Sequence, residues 1–189
     1  MLNIPEYKEY AGETQIALMD NSSLAFMHEL SQRSYPSDGI LSVYDLILIP
    51  KWVMEEIEDS TYRSTYVEQL QAQGYPIRWI DETKYGAFVN DEDVNLYYIV
   101  EAAVSRVSEL MRFLRRKVKT EDLIDLPSAE EWMNRLYDEW PIHGRTLSTG
   151  RTLKKNAGEI SLTILAEIWL SLPAISESYL PGCHYPLHL

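Results

Sequence analysis

Leu46-Ile47-Leu48-Ile49 is an unbroken aliphatic run that ends at Pro50. Successive strand residues point to opposite faces, so a strand apolar at every position is covered on both sides. That is the position of a parallel strand sandwiched between helices. Pro50 punctuates the run and suits the first turn of a helix. Lys51 to Asp59 follows, with Trp52, Val53, Met54 and Ile57 on one side and Glu55, Glu56, Glu58 and Asp59 among them. A solvated acidic face accounts for most of these carboxylates, but a helix starting so close to the strand carries one glutamate inward, near the strand end.

Two more segments repeat the pattern of strand then helix. Gln15-Ile16-Ala17-Leu18-Met19 is apolar and ends in Asp20-Asn21-Ser22-Ser23, after which Leu24, Phe26, His28 and Leu30 recur at helical spacing. Asp20 falls at the carboxyl end of this strand, where ligands of open α/β sheets gather. Ser22 or Ser23 is placed to cap the helix; alternatively Asp20 is itself the cap. Thr61 to Gln73 reads as a helix stopped by Gly74, and Tyr75 to Ile80 as a third strand ending at Asp81. Apolar strands alternating with helices predict an α/β fold with a mostly parallel sheet and strands near 15–19, 45–49 and 76–80.

The second half is helical in pattern. Val94, Tyr97, Glu101, Val104, Val107, Leu110 and Leu114 keep helical spacing from about Asp91 to Lys119. Ser128-Ala129-Glu130-Glu131 forms a capping box before a second helix, and the two are expected to make a helical hairpin. Arg112, Arg115, Arg116, Lys117 and Lys119 complement a helix C-terminus or guide an anionic polymer. Residues 142–155 read as a flexible basic loop leading to Asn156-Ala157-Gly158-Glu159. Glu159 then opens a strongly apolar helix through Ile160, Leu165, Ile168 and Trp169. It either interacts with the helix dipole or serves as a rigidly held ligand. Pro173 to Leu180 reads as a short last strand, and Cys183, His184 and His188 in the tail make a poor zinc set.

With 189 residues, 46% of them hydrophobic, the chain can bury one sizeable core, so 1–189 is read as a single domain with a helical insertion over 85–150. One cysteine excludes an intrachain disulfide, and no apolar run reaches the ~18 residues of a membrane span. A cytoplasmic protein is expected. The net charge of −12 argues against a binder that holds DNA by a broad basic face, but not against a nuclease that meets phosphate through cations.

In this order, Asp20-Asn21-Ser22-Ser23, then Ile49-Pro50 with Val53-Met54-Glu55-Glu56-Ile57, then Gly158-Glu159, the chain resembles the PIN-domain nucleases. The match covers about 15–60 and 150–180. It implies a three-layer α/β/α PIN-like fold, with Asp20, Glu56 and Glu159 as the catalytic, metal-holding cluster. Glu56 is preferred to Glu55 because the family glutamate directly precedes an aliphatic residue. Ser22 would support the metal. The family places one or two aspartates after its fourth strand; here Ser176-Glu177-Ser178 stands there, which makes Glu177 the remaining candidate ligand.

The resemblance implies Mg2+ or Mn2+, whose preference for hard oxygen donors suits carboxylates, and hydrolysis of RNA, with single-stranded RNA the first substrate to test. Arg151, Lys154 and Lys155 are the candidate substrate-binding residues. The toxin of a toxin–antitoxin pair is one form such an endoribonuclease takes, with an antitoxin as its protein partner; a second copy of the chain is a further candidate partner. The competing reading is a PIN-like scaffold without catalysis that binds a protein.

Overall fold

The computed structural model describes residues 2–35, 37–89, 92–117, 127–147 and 150–171. Strands β1 (Ile16–Leu18), β2 (Leu46–Pro50) and β3 (Ile77–Ile80) form a parallel sheet in the order β1-β2-β3. Ala17 aligns with Ile47, and Ile49 with Trp79. The aliphatic run is therefore the central strand, buried at all five positions. Leu46 and Leu48 enter one core with Ile80; Ile47 and Ile49 enter the other with Ile77. This alternation produces an α/β architecture covered on both faces.

Helices α1 (Asn21–Gln32), α2 (Lys51–Glu58) and α3 (Thr61–Ala72) supply the second core through Leu24, Val53, Ile57, Val67 and Leu70. On the first face lie α4 (Glu92–Val104), α5 (Ser108–Lys117), α6 (Ala129–Asp138) and α7 (Ala157–Ser171). Residues from the expected insertion, Leu96, Val100, Phe113, Trp132 and Trp140, share one continuous core with Leu48 and Ile164. The N-terminal segment covers the outer edge of β3: Tyr7 donates its amide to Trp79 (2.7 Å), and Trp79 donates to Pro5 (3.0 Å). Among the described residues no helix is long and apolar enough to cross a membrane.

Five expectations about local structure change. The pattern read as one helix over about 91–119 breaks after Val104, where Ser105 and Val107 donate to carbonyls three residues back and α5 starts anew. No Gly or Pro marks the break. It lets Val104 and the α5 residues Leu110, Phe113 and Leu114 all reach the same core. The expected hairpin between the long helix and α6 is replaced by packing of α6 on α4 and on a 3-10 turn, Glu82–Phe88. Residues 142–155 are not an open loop: β4 (His143–Thr146) and β5 (Thr152–Lys154) pair antiparallel. Pro50 is the last residue of β2 and the residue before α2, not part of its first turn. The capping box is half made, since Ser128 accepts from the Glu131 amide (3.3 Å) while the Glu131 side chain turns to Arg135. The strand expected over 173–180, with Glu177, and the tail carrying Cys183, His184 and His188 lie outside the described residues.

A buried polar knot ties these layers together. The Glu82 carboxylate is wholly enclosed, and its Oε1 accepts from the Trp52 amide (2.9 Å) and the Ser161 hydroxyl (2.8 Å). Ser161 in turn shares a hydrogen bond with the Tyr85 hydroxyl (2.8 Å). One side chain thereby holds the 3-10 turn, the start of α2 and the first turns of α7. Burial pushes the Glu82 carboxyl up to about 8, against the hydrogen bonds from Trp52 and Ser161, which favour the charged form.

Candidate functional site

A parallel sheet gathers its loops at the carboxyl ends of its strands. β1 ends into Asp20, which begins α1 by accepting the Ser23 amide on its Oδ1 (2.6 Å). Asp20, not Ser22 or Ser23, is the cap. Ser22 lies exposed on the first turn. The next residue reaches inward: Asn21 Nδ2 donates to Glu56 Oε2 (3.2 Å), while Asn21 Oδ1 is buried with no partner among the described residues. β2 ends into α2, on which Glu56 is half-buried, and Lys51 at its start pairs with Asp81 after β3 (2.7 Å).

The Gly158-Glu159 turn of α7 closes against α2. Asn156 before it has a φ of 63°, a left-handed conformation that Asn accepts more readily than most residues. A Cβ at Gly158 would lie 3.1 Å from Val53 Cγ2 and 3.4 Å from Glu56 Oε1. The glycine is there for close approach, not for looseness, and it brings Glu159 near Glu56. The Glu56 carboxyl is raised above its usual range, first by burial and then by the negative charge of Glu159; Asn21, Arg145 and Arg63 act the other way.

A cleft of about 520 Å³ runs from these two glutamates to the β4–β5 hairpin. Arg145, Lys154, Lys155 and His143 line it on the hairpin side. Two of the four sequence-expected acids, Glu56 and Glu159, therefore meet two of the three expected cations, Lys154 and Lys155. His143 and Arg145, members of the basic segment expected to meet phosphate, join them, and Asn21 from the turn after β1 is an addition that its neighbours in sequence do not signal. Arg145 lies in the segment read as a basic loop, and only the pairing of β4 with β5 turns it toward the glutamates.

Other expected residues are engaged elsewhere. Arg151 forms an ion pair with Glu55 (2.5 Å), which also accepts from the Tyr137 hydroxyl, and Tyr137 stacks on Trp52 (4.8 Å between ring centroids). Burial and the adjacent Glu55 hold the Tyr137 phenol well above its ordinary value. Glu55, one of the carboxylates ascribed to a solvated acidic face, is thus the anchor of the hairpin. Lys154 donates to the Asp138 carbonyl (3.1 Å), and Arg145 pairs with Asp59 (3.0 Å).

Among the described residues no three His, Cys, Asp or Glu side chains gather as a metal-holding group, so Asp20 does not join Glu56 and Glu159 in one. The two glutamates fit a hard cation nonetheless. They are adjacent oxygen donors whose mutual repulsion a positive charge relieves, and Mg2+ commonly takes one or two carboxylates with water and substrate phosphate completing the shell. Against family models, curated proteins and solved structures the chain has no significant match.

Proposed function

We propose that the cleft binds single-stranded RNA and hydrolyses its phosphodiester bonds with the help of Mg2+ or Mn2+, in the manner of a PIN-like endoribonuclease. The observation that carries this reading is the meeting of Glu56 and Glu159 at the carboxyl ends of a parallel sheet, facing a hairpin that presents Arg145, Lys154 and Lys155. Carboxylates on one side and cations on the other suit a substrate whose phosphate is anionic and whose cleavage needs a divalent ion.

Glu56 and Glu159 would hold the cation, which when bound supplies Lewis acidity toward the phosphodiester and the attacking water. Asn21 orients Glu56 by its hydrogen bond, and Arg145 favours the ionised carboxylate that a cation requires. Lys155, exposed at the cleft, and Lys154 bind phosphate oxygens. Hydrolysis adds water oxygen to phosphorus and breaks the bond to the leaving sugar oxygen, which takes a proton.

The test is cleavage of end-labelled single-stranded RNA with Mn2+ or Mg2+ against an EDTA control. Cleavage abolished by EDTA and by Glu56→Gln supports the reading. Absence of cleavage, together with a melting curve indifferent to millimolar Mg2+ and Mn2+, defeats it. A non-catalytic, protein-binding scaffold is then preferred. One observation favours that second reading: Arg145, Arg151 and Lys154 already have partners within the fold.

A further inference from the structure

The first turn of α3 holds a cation and an aromatic ring that the proposed hydrolysis does not use. Arg63 lies within electrostatic reach of Glu56, yet its Nε is buried and no acceptor among the described residues lies within hydrogen-bonding distance. Buried guanidinium N–H groups are normally satisfied, so an unpartnered one leaves Arg63 without the acceptor that would fix it within the fold. Arg145 and Arg151 are different, since each already holds a carboxylate.

The residue before Arg63 is Tyr62, 77% exposed. Its ring stacks on His28 of α1 (centroids 6.4 Å apart, planes at 30°), and His28 in turn packs on Tyr66 (5.1 Å). Three rings thus run from the buried Tyr66 through a half-buried histidine to a tyrosine whose outer face is open. The series stands beyond the cleft lining, linked to it through two elements. Asp59, two residues before α3, holds the cleft arginine Arg145, and His28 lies two helical turns, about 10 Å, along α1 from the Asn21 that bonds Glu56.

We propose that Arg63, Tyr62 and His28 form a nucleotide subsite of the cleft. The Arg63 guanidinium binds a backbone phosphate of single-stranded RNA, and a base of the same strand stacks on the open face of Tyr62. The half-buried Arg63 offers phosphate a cation that is not committed to a carboxylate among the described residues, and stacking on an open ring is the usual way unpaired bases are held without demanding a particular sequence. The inference rests on the reading of the cleft as an RNA site and assigns that site's contacts beyond the scissile bond.

The experiment uses the full chain, a fluorescein-labelled oligouridylate and fluorescence anisotropy in EDTA at low salt, with Mn2+-dependent cleavage measured separately. Tyr62→Ala is expected to weaken binding about tenfold, with Tyr62→Phe retaining wild-type affinity. Arg63→Gln is expected to weaken binding and make the salt dependence shallower by about one phosphate contact. In the cleavage assay Tyr62→Ala raises KM and leaves kcat near wild type. If Arg63→Gln fails the accompanying melting control, the exposed Tyr62 pair decides alone.

Wild-type affinity in both Tyr62→Ala and Arg63→Gln, with wild-type cleavage intact, overturns the subsite and leaves the hydrolytic reading standing. Lost affinity in the variants without any wild-type cleavage supports the subsite and removes the hydrolysis. No binding and no cleavage by the wild type removes both.

Discussion

Glu82→Gln should make the protein more resistant to alkaline pH. The folded carboxyl titrates at about 8 because burial disfavours its charge, against 4.5 for the free group. The protonated form is therefore the one the fold stabilises. Its contribution is complete below pH 4.5, falls as pH rises toward about 8, and is constant above that. At ~1.4 kcal/mol per pH unit across that window, the loss approaches ~5 kcal/mol, against a typical total stability of ~5–15 kcal/mol. Glutamine keeps an oxygen for the Trp52 amide and the Ser161 hydroxyl, and it carries no charge to bury.

Thermal or urea unfolding of both proteins from pH 5 to 9 isolates this group, because every other titrating residue is common to the pair. The variant should gain ~1–1.4 kcal/mol relative to wild type with each pH unit between 5 and 8, then level off. For a chain of this length ~3 kcal/mol is about 6–12 °C in Tm. Parallel stability curves across that range would refute the argument, since Glu82 would then titrate alike in the folded and unfolded chain.

Glu159→Gln should bring the Glu56 titration, followed by NMR, down toward its usual range, and should also abolish the metal-dependent rise in Tm. Asp20→Asn should fold as stably as wild type because Asn caps a helix as well as Asp does, whereas Asp20→Ala should lose ~1 kcal/mol in urea unfolding. Gly158→Val should lower Tm and depress RNA cleavage together, since the added carbons meet Val53 and Glu56. Glu55→Gln should cost ~1 kcal/mol and raise proteolytic nicking near Arg151, because it removes the charge that Arg151 and Tyr137 share.

Much of the architecture was legible in short stretches of sequence. A strand buried on both faces must be apolar at every position, and Leu46 to Ile49 has no other economical placement. Asp20 at a strand end and Ser128 three residues before Glu131 declare helix starts for equally local reasons, because a cap acts on amides two or three residues away. Helical spacing of apolar residues likewise located α1, the stop at Gly74 bounded α3, and a dense apolar run located α7. These features depend on neighbours a turn apart, so the chain specifies them before it folds.

What tertiary structure alone decided is which distant groups meet. Periodicity continued through Ser105 and Arg106, but a straight helix would not bring Leu110 and Phe113 onto the core that Val104 reaches, so the helix breaks there. Glu55 and Glu56 are adjacent and chemically alike. A helix turns about 100° per residue, so one faces Arg151 and Tyr137 while the other faces Glu159. Arg151 found its partner 96 positions away, and Glu82, an ordinary acidic residue in sequence, became an enclosed one where Trp52 and Ser161 close over it. Local pattern reports how much of a residue is buried; it carries no information about which side chain, far along the chain, shares that burial.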